Sequence, residues 1–109
     1  MKKALSFKGL FKNGRYYRNR EFSLRALEND LDISRLGISI QSKIFPGAVQ
    51  RNKAKRLIRE AFRKNKYRLN NNYDMIIRPK DIEIVKLKYN IIEERILGLF
   101  KIAKILRQG

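Results

Sequence analysis

Apolar positions along residues 51–63 recur with the period of a helix. Ala54, Leu57, Ile58, Ala61 and Phe62 stand at i, i+3, i+4, i+7 and i+8, one face at about 100° per residue. The pattern predicts a helix from about Val49 to Tyr67, entered through a loop at Pro46 and Gly47 and left at the turn Asn70, Asn71, Asn72. Tyr89, Ile92, Ile96, Leu99, Ala103 and Leu106, spaced by threes and fours, predict a long final helix with Asp81 as its N-cap. Leu5, Phe7, Leu10 and Phe11 predict a short first helix, stopped near Gly14 by a left-handed cap. Elsewhere the period is two. From Tyr16 to Leu27, Phe22, Leu24 and Ala26 fall on one face and Ser23 and Arg25 on the other, a half-exposed strand. Leu36, Ile38 and Ile40 share a face of a second strand, Arg35 to Gln41, and the turn-prone Glu28 to Ser34 predicts an antiparallel hairpin between the two. Tyr73 to Arg78 is a compact apolar strand ended by Pro79. The class is therefore α+β, a small sheet packed against helices in the order α-β-β-α-β-α. No repeat, low-complexity tract or linker divides residues 1–109, which read as a single domain.

The polar side of the pattern changes this picture from a fold to a partner. Lys and Arg number 27 against 10 Asp and Glu, a formal charge of +17, and such self-repulsion favours a nucleic acid or another large polyanion as partner. Cysteine and histidine are absent, which excludes disulfides, Cys/His zinc sites and histidine acid–base chemistry. The ten carboxylates are scattered, and the adjacent pair Glu93-Glu94 sits mid-helix with no metal-ligand spacing around it, so neither a catalytic nor a metal site is expected on the protein. No apolar run approaches the roughly 20 residues of a membrane span. The start Met1-Lys2-Lys3-Ala4-Leu5-Ser6 continues into charge rather than into a signal-like apolar stretch. A cytoplasmic location and a monomeric isolated chain are the expectations.

The charge is not evenly spread. On the predicted 49–67 helix Asn52, Arg56, Arg59 and Arg63 fall opposite the apolar stripe, with Arg51, Lys55 and Lys66 beside them. Like charges at i and i+4 repel by a few tenths of a kcal/mol per pair, and a bound polyanion relieves that repulsion. Arg56 and Arg59 offer planar forks suited to phosphate, whereas Lys53 and Lys55 are less directional charges. Asn52 is either a cap for backbone donors or an RNA contact, and Arg51 is either a phosphate contact or the first exposed charge of the helix. Phe7 and Phe11, four apart, suit either ordinary core packing or a surface where rings stack on unpaired bases. Tyr16 and Tyr17, set among Arg15, Arg18 and Arg20, suit single-stranded RNA or the covering of a sheet edge.

The run Gly47-Ala48-Val49-Gln50-Arg51-Asn52-Lys53-Ala54-Lys55-Arg56-Leu57-Ile58-Arg59-Glu60-Ala61-Phe62 resembles the signature of the protein component of bacterial ribonuclease P, an Arg-Asn-Arg box followed by Lys-Arg and Leu-Ile-Arg. Phe7 to Gly14, Leu36-Gly37-Ile38-Ser39-Ile40 and Tyr73 to Pro79 resemble that family's first helix and strands, in the same order. The resemblance implies a subunit of the ribonucleoprotein that removes the 5′ leader from precursor tRNA, with hydrolysis by the catalytic RNA and Mg²⁺ held by RNA rather than by protein ligands. It implies RNA-subunit contacts at Arg51, Asn52, Lys53, Lys55, Arg56 and Arg59; Arg63, just outside the box, is either a further RNA contact or a solvated charge. It further implies a cleft for the single-stranded leader at Phe7, Phe11, Tyr17 and Arg25, and a left-handed βαβ crossover, against the usual right-handed preference. Two positions depart from the family pattern: Lys53 stands for the second Arg of the box, and Arg25 for an aromatic residue.

Overall fold

The structure, a computed structural model, describes residues 5–108; Met1 to Ala4, read above for a leader, lie outside the described residues. Three helices and four strands are formed: α1 (Phe7–Asn13), β1 (Arg15–Arg18), β2 (Phe22–Glu28), β3 (Arg35–Ile38), α2 (Ala48–Asn65), β4 (Tyr73–Pro79) and α3 (Tyr89–Ile102). The α+β class holds, with one strand more than the sequence pattern predicts. The stretch from Tyr16 to Leu27 is a hairpin, folded where Asn19 Oδ1 accepts from the backbone N–H groups of Glu21 (3.1 Å) and Phe22 (2.8 Å). The side-chain carboxamide thus adds to the backbone bond from Asn19 N–H to Phe22 O (2.9 Å) that closes the bend.

The sheet order is β1-β2-β4-β3, so the predicted hairpin between β2 and β3 does not form. β4 lies between them, antiparallel to β2 and parallel to β3, with α2 as the crossover from β3 to β4. The physical reason lies in β4 itself. Met75, Ile76 and Ile77 are all buried, so both faces of this strand need covering, as at the centre of a sheet. β3, with only Gly37 fully buried, suits the edge.

One face of the sheet carries Phe22, Leu24, Met75 and Ile77 and meets Ala54, Ile58, Ala61 and Phe62 of α2 and Ile92, Ile96, Leu99 and Phe100 of α3 in the main core. Leu57 is half-buried at its border. The other face is covered by α1, whose Leu10 is buried. Here glycine is required twice. A Cβ on Gly37 would lie 2.6 Å from the Phe7 ring, and one on Gly14 would lie 2.6 Å from the Leu10 carbonyl oxygen. Gly14 is extended, at φ −73°, so the expected left-handed cap is replaced by a close backbone approach.

Asp81 does act as a cap, but of a short 3₁₀ turn, Ile82–Lys86, through Glu83 N–H at 2.9 Å. The extended backbone of Leu87 and Lys88 then separates that turn from α3, which is why the final helix begins later than its spacing suggests. Buried Asn65 locks α2 to α3 by donating to Ala61 O (2.9 Å) and Glu93 Oε2 (2.8 Å). Tyr89 donates to the same carboxylate, and burial together with Glu93 pushes its hydroxyl up to about 12.

Loop 29–34 is held by Asp74, which accepts from Arg35 Nε (2.8 Å) and Nη2 (2.7 Å) and from Asn29 Nδ2 (2.8 Å). These hydrogen bonds, Arg35 foremost, hold the Asp74 carboxyl below its ordinary 3.8 despite partial burial. A carboxylate whose folded pKa is depressed stabilises the fold above the unfolded value, and that contribution is lost as pH falls through the folded one. We therefore expect the melting temperature to fall on acidification from about pH 4 downward, and Asp74→Asn to melt lower at neutral pH with a flatter acid dependence. Thermal melts of both proteins between pH 2 and 7 provide the check; identical acid limbs would exclude Asp74 as their source.

Candidate nucleic-acid interface

Burying one side of α2 decides what the other side shows. Arg56, Arg59, Arg63 and Asn52 are exposed, while Arg51, Lys53 and Lys55 are half-buried at the flanks. The helix is N-capped by Gly47, which places Asn52 well inside the helix and removes the capping alternative for it. Its carboxamide takes no partner among the described residues, and neither Arg56 nor Arg59 has an ion pair there. Arg63 differs, being paired with Glu60 one turn back.

Arg51 differs most from expectation. Its Nη1 donates to Phe45 O (2.9 Å) and Pro46 O (2.8 Å), binding the helix to the loop that leads into it. That structural duty depends on loop geometry and has no signature in residue spacing. Lys55 and Arg59 lean the other way and, with Leu36, Ile38 and Phe62, line a groove between α2 and the edge strand β3. Cations there stand over apolar walls, a setting that strengthens their hold on an anion relative to open solvent.

A second feature occupies the opposite layer, on the face of the sheet that α1 covers. The Phe7 and Phe11 rings, 38% and 39% exposed, meet edge to face with centroids 6.5 Å apart. The Arg25 guanidinium lies over both Phe11 (5.0 Å) and Tyr16 (4.7 Å), and Arg78 lies over Phe11 at 5.5 Å. Rings interleaved with guanidiniums offer π-faces to bases and charge to phosphates.

Of the residues assigned to the cleft, Phe7, Phe11 and Arg25 come together and Tyr17 does not. The β1–β2 register pairs Tyr17 with Leu24, on the core face, and Tyr16 with Arg25. Arg78 was missed, and of the two candidates Tyr16 and Tyr17 it is Tyr16 that joins the cluster. Strand parity marks Arg78 as outward, since Ile77 beside it is in the core, whereas Tyr16 is recognisable only once the hairpin register is known.

Among the described residues no group of three or more His, Cys, Asp or Glu is placed to hold a metal ion. The two faces can attract, orient and stack against a polyanion, and neither presents an acid–base pair for bond cleavage.

A family model described as Ribonuclease P matches residues 1–104 of the chain. The chain is similar to the ribonuclease P protein component of Streptococcus pneumoniae, with 36% identity over 110 residues covering 100% of this chain and 87% of the relative. In structure it is similar to the RNase P protein of Thermotoga maritima, 33% identical with a TM-score of 0.80, covering 94% of this chain and 92% of that one. It is likewise similar to the RNase P protein of Staphylococcus aureus, 32% identical with a TM-score of 0.81, covering 98% of this chain and 96% of that one.

The geometry separates the arginines of α2 by duty. Arg51→Ala, which removes a charged donor from two backbone carbonyls, is expected to cost about 1.5 to 3 kcal/mol of stability. Arg56→Ala and Arg59→Ala are expected to stay within about 0.5 kcal/mol of the parent. Denaturant melts of the three variants test this; equal losses would mean that Arg56 and Arg59 also support the fold.

Proposed function

As the chain belongs to the ribonuclease P protein family, we propose that it joins a catalytic RNA through the outer side of α2 and holds the 5′ leader of precursor tRNA against the α1-covered face of the sheet. Family membership makes it the protein component of an endoribonuclease complex acting in tRNA processing, with RNA as its partner. What carries the finer reading is a pair of exposed guanidiniums, Arg56 and Arg59, without carboxylate partners among the described residues, on a helix whose inner side is committed to the core.

In this reading Arg56 and Arg59 grip RNA phosphates bidentately, Lys53 and Lys55 add charge, and Asn52 supplies an unpartnered amide to the same surface. Arg51 and Arg63 act mainly through the fold, one as a loop clasp and the other in its pair with Glu60. On the opposite layer Phe7, Phe11 and Tyr16 offer ring faces to unpaired leader bases, each stacked base contributing roughly 1 to 3 kcal/mol. Arg25 and Arg78 supply charge to the phosphates between them. Arg25, standing for an aromatic residue, converts one stacking position into a cation bracketed by two rings.

The protein's share of the work is electrostatic and positional. Two RNAs brought side by side repel through their phosphates, and cations between them lower that repulsion and release counterions. Hydrolysis, with the Mg²⁺ it requires, is the task of the RNA subunit in this proposal. No described helix is long and apolar enough to cross a membrane, and we place the complex in the cytoplasm, with the isolated protein a monomer.

Two measurements test the two faces separately. Replacing Arg56 and Arg59 with Ala is expected to weaken affinity for the RNA subunit and to flatten its salt dependence by roughly 0.7 to 0.9 in log–log slope per lost phosphate contact; an unchanged slope would refute the phosphate assignment. Shortening the leader of the precursor to a single nucleotide is expected to abolish most of the gain in substrate affinity that the protein confers. An equal gain for long and short leaders would remove Phe7, Phe11 and Arg25 from the substrate site.

A further inference from the structure

Tyr67 is an aromatic residue left in water. It lies on the 3₁₀ turn Lys66–Arg68 that continues α2, and it is 69% exposed. Tyr73 and Tyr89, by contrast, pack against the core and bond their hydroxyls to Asn70 and Glu93. Among the described residues neither the ring nor the hydroxyl of Tyr67 has a partner.

Its position is not arbitrary. Tyr67 follows the last residue of α2, Asn65, by two positions, and the 3₁₀ turn that carries it advances about 120° per residue, so it has left the buried stripe of Ala54, Ile58, Ala61 and Asn65 and stands in solvent just beyond exposed Arg63. With a rise of about 1.5 Å per residue it stands roughly 16 Å along the axis from Arg56, a span of two or three nucleotides of extended strand. Arg63, Lys64, Lys66 and Arg68 surround it in sequence, all exposed. An apolar protein partner gains little from a single ring set among cations, whereas a nucleic acid meets both components of the patch, phosphate with charge and base with ring.

We propose that Tyr67 is a stacking platform for an unpaired base of the RNA subunit, extending the interface on α2 by one turn beyond the matched signature. The proposal rests on the reading that the outer side of α2 binds that RNA. Its distinguishing property is that a neutral ring contributes affinity without displacing counterions.

The test compares the full chain with its Tyr67→Ala, Tyr67→Leu and Tyr67→Phe variants in binding to the catalytic RNA of the same genome across a salt series, with the Arg56→Ala/Arg59→Ala double variant as reference. Tyr67→Ala and Tyr67→Leu are expected to weaken binding roughly 5- to 100-fold with the salt slope unchanged, and Tyr67→Phe to retain wild-type affinity. Affinity within twofold of wild type for all three overturns the proposal, as does a loss in Tyr67→Phe equal to that in Tyr67→Ala, which would assign the effect to the hydroxyl. If the double arginine variant loses affinity and slope while the Tyr67 variants do not, only this inference falls. If the double variant also binds unchanged, the underlying reading of α2 falls with it.

Discussion

The seating of α2 on the sheet is the interaction on which the rest depends. Ala54, Ile58, Ala61 and Phe62 enter one core with Leu24, Met75 and Ile77, and that contact fixes the rotation of the helix about its own axis. A helix so held has no freedom over what it presents outward. Asn65, at the end of the same buried stripe, adds a polar latch to Glu93 that sets α2 against α3 as well. In the proposed reading this rigidity serves recognition, because guanidiniums mounted on a firmly seated helix lose less entropy when they meet phosphate.

The scarcity of acid residues is as informative as the abundance of basic ones. Glu60 is paired with Arg63, Asp74 with Arg35, Glu83 with Lys86 and Glu21 with Arg95. Each pair ties down a helix turn, a loop or the hairpin. None involves Arg56, Arg59, Arg25 or Arg78. These four carboxylates serve the architecture, and among the described residues the surfaces proposed to bind RNA keep those arginines free of ion pairs.

What was legible in the chain divides along the range of the interactions involved. The α2 stripe could be read because periodicity, burial and charge all repeat within a few turns. Its exposed arginines followed directly. The neighbours of β4 could not be read, because strand order is set by contacts across dozens of residues and β3 carries no local mark of its parallel partner. The cleft was half legible: Phe7 and Phe11 share a helix, whereas choosing Tyr16 over Tyr17 required the hairpin register that Asn19 sets, and a one-residue slip exchanges the faces. Arg51 shows the same limit at smaller scale, since its carbonyl acceptors belong to a loop whose path the sequence pattern leaves open.

The central place of β4 has a temporal side. It is the last strand in the chain, yet β2 and β3 both pair with it, and β3 has no other strand beside it. On a ribosome the β1–β2 hairpin and α2 emerge first, and neither can assemble the sheet until residues 73–79 have cleared the exit tunnel. Through that interval the inner side of the basic helix has no sheet to lie on. Assembly of the sheet is therefore gated by the emergence of residues 73–79, and the strongly cationic nascent segment spends that time beside the RNA of the ribosome.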